Sequence, residues 1–165
     1  MMTKFYLDTS ALVKRYIREP GTDVMDEVFR AAWEGRVELV FSLWNIGECL
    51  VVYDKYRARG AITPEEFELA LGRLLAEVLA LMDRGVLTIV PVSSRVLARA
   101  WTYVLEEHIY QADALQIATC ELESCDRLLA ADRRLIEVCR QRGIKALNVE
   151  FEEDQKRIIC MLHEL

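Results

Sequence analysis

Five short apolar segments alternate along the chain with longer stretches whose apolar residues recur at helical spacing. The segments span residues 5–7, 37–41, 86–92, 127–131 and 145–151. Short apolar runs bounded by a break in pattern are typical of buried strands, and apolar residues three or four positions apart are typical of helices. Strands that alternate with helices form a parallel sheet covered on both faces. The 165 residues therefore predict one α/β domain with a five-stranded parallel sheet flanked by helices.

Local start and stop signals agree with this periodicity. Glycines at 35, 60, 85 and 143 follow predicted helices. Thr22 and Ser42 are predicted to cap helices, and Thr63 begins a T-x-x-E capping box with Pro64 at the first helical position. A helical hairpin is thus inserted between the second and third strands. We predict that residues 1–150 form the domain and that residues 151–165 form a C-terminal helical tail packed on it.

Composition excludes several classes of protein. A net charge of −6 argues against a general polycationic nucleic-acid binder. The five cysteines include no C-x-x-C pair, and the two histidines lack metal-ligand spacing, so neither a zinc site nor a disulfide framework is expected. No window approaches the about 18–20 apolar residues of a membrane span, and no leader follows Met1. A cytoplasmic protein with reduced thiols is expected.

Two acidic residues follow predicted strands. Asp8 comes after residues 5–7, and Asp132 after residues 127–131. In a parallel α/β sheet, the carboxyl ends of the strands carry the ligand site. Aspartate is also a good helix N-cap, and this alternative interpretation stays open for Asp132.

Two further acids lie among apolar residues on helical faces, Glu48 with Trp44 and Val52, and Asp113 with Ile109 and Ile117. A lone buried carboxylate destabilises a protein unless it is paired, hydrogen-bonded or bound to a cation. An acid at a helix edge, bonded to a nearby arginine, is the simpler alternative for each.

If the four acids converge, they cannot all stay ionised and unpaired. Hard oxygen ligands without histidine or cysteine indicate Mg²⁺ or Mn²⁺. Such an ion polarises a phosphate and lowers the pKa of a bound water, which then attacks in line. The chemistry indicated is phosphodiester hydrolysis.

The order of four segments, 7–14, 42–48, 112–118 and 128–132, resembles a PIN domain and is similar to the VapC-like toxins of toxin–antitoxin pairs. The resemblance implies a metal-dependent endoribonuclease with an acidic tetrad at Asp8, Glu48, Asp113 and Asp132. It also implies that Ser10 orients Asp8 or a metal-bound water, and that the protein is a homodimer inhibited by a small antitoxin. One departure is Ala130, where the family often has threonine or serine; a supporting hydrogen bond to the last acid would be missing.

An acidic protein that cleaves RNA needs local positive charge. Lys14 and Arg15 follow Asp8, and Arg133 and Arg134 follow Asp132, so these four are candidates for contacts with phosphates. The alternative is a solvated helix surface.

Two rival functions remain. One is a non-catalytic RNA- or protein-binding module on the same scaffold, and the other is a housekeeping RNA-processing nuclease without an antitoxin. A haloacid-dehalogenase-type enzyme would need a second aspartate where Ser10 stands, and no glycine-rich phosphate-binding motif is present.

Overall fold

All five predicted strands are present and pair in one parallel sheet. The computed structural model describes residues 2–165. The strands are β1 (Thr3–Leu7), β2 (Val37–Ser42), β3 (Leu87–Val90), β4 (Arg127–Ala130) and β5 (Ala146–Asn148), in the order β3-β2-β1-β4-β5. Every neighbouring pair is parallel, so the carboxyl ends of all five strands lie at the same edge of the sheet. The predicted fold class is confirmed.

Eight helices connect or follow the strands within the described residues. They are α1 (Thr9–Leu12), α2 (Thr22–Trp33), α3 (Leu43–Ala58), α4 (Pro64–Asp83), α5 (Ser94–Glu107), α6 (Gln111–Leu122), α7 (Arg133–Gln141) and α8 (Glu152–Glu164), and α1 continues into a 3₁₀ turn (Val13–Arg15). None of these helices is long and apolar enough to cross a bilayer.

Most predicted helix starts are confirmed. Ser42 caps α3, and Thr63 and Glu66 form a reciprocal capping box at the start of α4. Thr22 is the exception, because the N-cap of α2 is Gly21 with φ 94°. A side chain on Gly21 would lie 2.7 Å from the Val149 carbonyl oxygen, so this position requires glycine.

Three predicted strands are shorter than expected, and the fourth, predicted over 127–131, ends one residue early at Ala130. The third, predicted over 86–92, ends at Val90 because Pro91 has no N–H with which to continue a ladder. The fifth, predicted over 145–151, ends at Asn148, whose side-chain oxygen accepts a hydrogen bond from the Glu150 N–H at 2.8 Å and turns the chain.

The core lies on both faces of the sheet. Alternate residues of β1 enter different clusters: Phe5 and Leu7 belong to one and Tyr6 to the other, as the strand period requires. The C-terminal helix α8 buries Ile158 and Leu162 in the first cluster. The tail is therefore continuous with the main core, and the division at residue 150 remains a prediction.

Candidate active site

Asp8 is held at the end of the central strand by its own backbone and by Ser10. Its N–H donates to the Leu129 carbonyl at 3.0 Å, which anchors it beside β4. Its Oδ2 accepts hydrogen bonds from the Ser10 N–H at 2.8 Å and from the Ser10 hydroxyl, so Asp8 is the N-cap of α1. The Ser10 hydroxyl accepts in turn from the Ala131 N–H at 2.8 Å. Ser10 therefore fixes one oxygen of Asp8 against the end of β4, and Oδ1 has no hydrogen-bond partner among residues 2–165.

Glu48 reaches the same edge from the second turn of α3. Two side chains donate to its Oε2, the Thr9 hydroxyl at 2.7 Å and the Gln116 amide at 2.8 Å. The predicted alternative, a bond to an arginine, is absent from the described part of the chain. The other oxygen, Oε1, receives no hydrogen bond there.

The other two acids begin helices. Asp132 is the N-cap of α7, and its Oδ1 accepts from the Leu135 N–H at 2.9 Å. Asp113 lies half-buried in the first turn of α6 and makes no side-chain hydrogen bond to any residue in the range 2–165. The N-cap interpretation of Asp132 is confirmed, and it leaves Oδ2 of this residue without a partner in the same range.

The electrostatics of the site show that these acids influence one another. The pKa of Asp8 is raised to about 6, chiefly by burial and also by the charges of Glu48 and Asp113, against the opposing hydrogen bonds from Ser10. Burial also raises the pKa of Asp113 to about 6, and the charges of Asp132 and Glu48 add to the effect. All four acids therefore contribute to one region of negative potential.

The donor chemistry of this region suits a hard divalent cation, although no ready-made cage is present. Among residues 2–165, no three histidine, cysteine or acidic side chains are placed so that they could hold a metal ion as they stand. Like-charged carboxylates repel one another when no cation lies between them, so an open arrangement is expected. Three of the acids each have one oxygen fixed by hydrogen bonds and one oxygen free, and every potential ligand is an oxygen.

Two of the four candidate phosphate-binding residues are paired inside the protein. Lys14 is 3% exposed, and its Nζ lies 2.6 Å from Glu150 Oε1. Arg15 donates to both oxygens of Glu77, at 3.0 and 2.8 Å. Their charges are neutralised by carboxylates, so neither side chain is free to contact a phosphate.

The other two basic residues are exposed beside the last acid. The Arg133 guanidinium lies over the Phe151 ring, 5.1 Å from its centroid. Arg134 is paired with Glu137 at 3.0 Å and donates to the Glu107 carbonyl at 3.2 Å. Both contacts are on the surface and leave the cations accessible to a ligand.

Four polar residues around Glu48 were not predicted as site residues: Tyr6, Thr9, Asn45 and Gln116. The last three lie within the segments 7–14, 42–48 and 112–118 that resemble the family, but no role was assigned to them. All four are buried. The available signal was a glutamine in the run from Ala114 to Cys120, where the other residues are small or apolar apart from Thr119. A buried amide must be hydrogen-bonded, so such a residue indicates a polar partner nearby.

Comparison with known proteins identifies the family. The sequence profile described as PIN domain matches residues 5–141. The chain belongs to the PIN domain family. No curated protein matches the chain at a significant level.

Solved structures share the fold of this PIN domain at low sequence identity. PAE2754 from Pyrobaculum aerophilum is 17% identical with a TM-score of 0.67, and the match covers 97% of this chain and 99% of that one. VapC20 of Mycobacterium tuberculosis, described as a sarcin–ricin-loop-cleaving toxin, is 14% identical with a TM-score of 0.56, covering 85% and 95%. VapBC2 from Rickettsia felis, bound to a DNA fragment from its promoter, is 13% identical with a TM-score of 0.56, covering 88% and 98%.

Proposed function

We propose that this PIN domain is an endoribonuclease that hydrolyses RNA phosphodiester bonds with Mg²⁺ or Mn²⁺, and that it is the toxin of a toxin–antitoxin pair. One observation carries the proposal: four carboxylates lie at the carboxyl edge of the sheet, where the charges of neighbouring acids help to raise the pKa of Asp8 and of Asp113. Acids that repel one another without a charge partner favour the binding of a cation. We assign Asp8, Glu48, Asp113 and Asp132 as catalytic and metal-binding residues.

The residues of the chain would hold and orient the reacting groups. A divalent ion bound here would polarise the scissile phosphate and lower the pKa of a water molecule. Ser10 keeps Asp8 in one orientation, and Thr9 and Gln116 do the same for Glu48. Arg133 and Arg134 are the candidates for contacts with phosphates that flank the cut.

The proposed partners are RNA, a small antitoxin and a second copy of the chain. The description of VapC20 as a sarcin–ricin-loop-cleaving toxin supports an RNA substrate, and the VapBC2 complex supports an antitoxin. We propose a homodimer and a cytoplasmic location on the resemblance to the same toxins. Five free cysteines fit a reducing compartment.

A non-catalytic binding module remains the second candidate. Two observations favour it: no ready-made metal cage exists in residues 2–165, and Ala130 offers no side-chain hydrogen bond to Asp132. In this case the acids would bind a divalent ion too weakly to support turnover.

Cleavage of a structured RNA pool separates the two functions. Purified protein is incubated with Mn²⁺, with Mg²⁺ and with EDTA, alongside Asp113→Asn, Glu48→Gln and the exposed-site control Asp83→Asn. We expect metal-dependent cleavage by the wild type and by Asp83→Asn, and none by the other two variants at unchanged circular dichroism. Failure of partner-free, metal-stripped protein to bind either ion in a calorimetric titration would reject the nuclease and favour the binding module.

A further inference from the structure

A continuous set of hydrogen bonds runs through the interior beneath Glu48. Its members come from β1, the start of α1, the start of α3 and the middle of α6, and all of their side chains are buried. Both ends of the set converge on one atom, Glu48 Oε2. Buried polar groups must be hydrogen-bonded, and here several of them are arranged around the single atom Oε2 of Glu48. This shared hydrogen-bond acceptor needs an explanation.

The direction of the first branch follows from a backbone N–H. Ser42 N–H donates to Asn45 Oδ1 at 2.9 Å, so the Asn45 amide nitrogen must face the other way. That nitrogen donates to the Leu7 carbonyl at 3.2 Å and to the Thr9 hydroxyl oxygen at 3.0 Å. Because the Thr9 oxygen accepts there, its proton is free to donate to Glu48 Oε2 at 2.7 Å. The backbone thereby sets the direction of the Thr9 hydrogen bond.

The second branch is set by the donor and acceptor atoms of Gln116. An ionised carboxylate only accepts hydrogen bonds, so the Gln116 nitrogen must face Glu48, where Nε2 lies 2.8 Å from Oε2. The Gln116 oxygen then faces Tyr6, whose hydroxyl donates to Oε1 at 2.5 Å. Reversal of the amide would place two acceptors opposite each other at the glutamate. The Tyr6 hydroxyl does not make this choice alone, because it can accept as well as donate and its proton has a second acceptor, Asn45 Oδ1, at 3.4 Å. Glu48 therefore selects the orientation of Gln116, and the hydrogen bond from Tyr6 supports it.

We propose that Gln116, supported by the hydrogen bond from Tyr6, is a positioning residue that fixes the Glu48 carboxylate so that Oε1 alone is presented to the site. The inference rests on the proposed metal-binding role of Glu48. Gln116 reaches the metal ligand only through this hydrogen bond. Thr9 is the second donor to the same oxygen, and together the two donors restrict rotation of a side chain that is long and flexible when unpaired.

The test measures Mn²⁺ affinity by calorimetry and the free energy of unfolding by urea in EDTA. Gln116→Met keeps the length of the side chain and removes both of its hydrogen bonds, and Tyr6→Phe removes the hydroxyl that donates to the Gln116 oxygen. The control is Thr22→Val in α2, which is also buried and whose hydroxyl donates to the Lys14 carbonyl at 2.8 Å and accepts from the Glu19 N–H at 3.0 Å, outside the network. We expect Gln116→Met to weaken Mn²⁺ binding by about 10–100-fold, the usual effect of losing a residue that orients a metal ligand.

The remaining variants separate positioning from a structural role. Tyr6→Phe is expected to weaken Mn²⁺ binding less than Gln116→Met does. Combination of Tyr6→Phe with Gln116→Met should give no further loss, because both act through one hydrogen bond. Thr22→Val should lower the free energy of unfolding and leave the Mn²⁺ affinity unchanged. A purely structural network would lower the unfolding free energy of all the variants while leaving their Mn²⁺ affinities equal to that of the wild type, and this result would overturn the inference. If Gln116→Met does not fold, unchanged Mn²⁺ affinity in folded Tyr6→Phe has the same consequence.

Failure of this inference is distinguishable from failure of the nuclease. RNA cleavage by the wild type together with unchanged affinity in Gln116→Met rejects the positioning role and keeps the proposed function. Weakened Mn²⁺ binding in Gln116→Met, without RNA cleavage by the wild type, supports the positioning role and rejects the nuclease. Absence of Mn²⁺ binding by the wild type overturns both.

Discussion

Replacement of Asp8 by asparagine is expected to stabilise the metal-free protein at neutral pH while removing a ligand. Burial is the largest cause that raises the pKa of Asp8 from 3.8 to about 6, and the charges of Glu48 and Asp113 add to it. At about 1.4 kcal/mol for each tenfold change in proton affinity, the ionised carboxylate lowers the free energy of unfolding by up to about 3 kcal/mol. Asparagine is uncharged, is a good N-cap and offers an oxygen to the same Ser10 donors. We expect Asp8→Asn to recover most of the free energy of unfolding that the ionised carboxylate costs.

The difference in the free energy of unfolding between Asp8→Asn and the wild type depends on pH through proton linkage. Between pH 3.8 and about 6 the folded protein holds a proton on Asp8 that the unfolded chain has released, so the contribution of Asp8 to stability falls as the pH rises. Below pH 3.8 both states are protonated and the penalty is absent, and above pH 6 the full penalty applies. The free energy of unfolding of Asp8→Asn should therefore exceed that of the wild type by about 1–3 kcal/mol at pH 7.5 and by little at pH 4.

Urea unfolding in EDTA, followed by far-ultraviolet circular dichroism at both pH values, measures this difference. Asp83→Asn removes an exposed acid and serves as the control, for which we expect no change at either pH. Addition of Mn²⁺ should stabilise the wild type and leave Asp8→Asn unaffected, because a ligand that binds only the folded state stabilises it by mass action. A wild type that is as stable as Asp8→Asn in EDTA at pH 7.5 would refute the electrostatic argument.

Three further predictions concern protons, charges and the helix cap. Mn²⁺ affinity should rise from pH 5 to pH 7, and Mn²⁺ binding should release protons at pH 5, because the pKa values of both Asp8 and Asp113 are about 6. Calorimetry in buffers of different ionisation enthalpy measures the number of protons released. Mn²⁺ binding that does not depend on pH would contradict this prediction. Lys14→Met should lower the free energy of unfolding by about 2 kcal/mol by leaving Glu150 unpaired, without changing the salt dependence of RNA binding. Arg133→Ala should instead reduce the slope of log RNA affinity against log salt concentration by about one. Equal slopes for the wild type and Arg133→Ala would remove Arg133 from the RNA interface. Thr63→Ala should lower the free energy of unfolding by about 1 kcal/mol through loss of the α4 cap, with Mn²⁺ affinity unchanged, as urea unfolding and calorimetry would show.

The elements of the fold follow from local signals, and the exceptions are set by distant contacts. The capping box at Thr63 acts within four residues and is visible in the sequence. Gly21 replaces Thr22 as N-cap because Val149, far along the chain, leaves no room for a side chain at position 21. A pattern confined to neighbouring residues contains no information about that approach.

The same limit separates the basic residues. Lys14 and Arg133 both follow an acid at a strand end, and no local pattern distinguishes them. The partner that neutralises Lys14 is Glu150, brought beside it only when β5 joins the sheet. Arg133 has no such carboxylate among residues 2–165, and its guanidinium lies over an aromatic ring at the surface. The fold thus decides which basic side chains remain available for the proposed contacts with RNA.

The acids at the strand ends explain why sequence alone leaves two interpretations open. An aspartate directly after a strand and before a helix can cap the helix or bind a ligand, and Asp132 allowed both. The structure makes them compatible, because capping uses one oxygen: the Leu135 N–H binds Oδ1 of Asp132, and Ser10 binds Oδ2 of Asp8. Each cap fixes the rotamer of its side chain and leaves the second oxygen free at the carboxyl edge of the sheet. Removal of the negative charge while the cap is kept, as in Asp8→Asn, therefore separates the capping of α1 from the proposed binding of a metal ion.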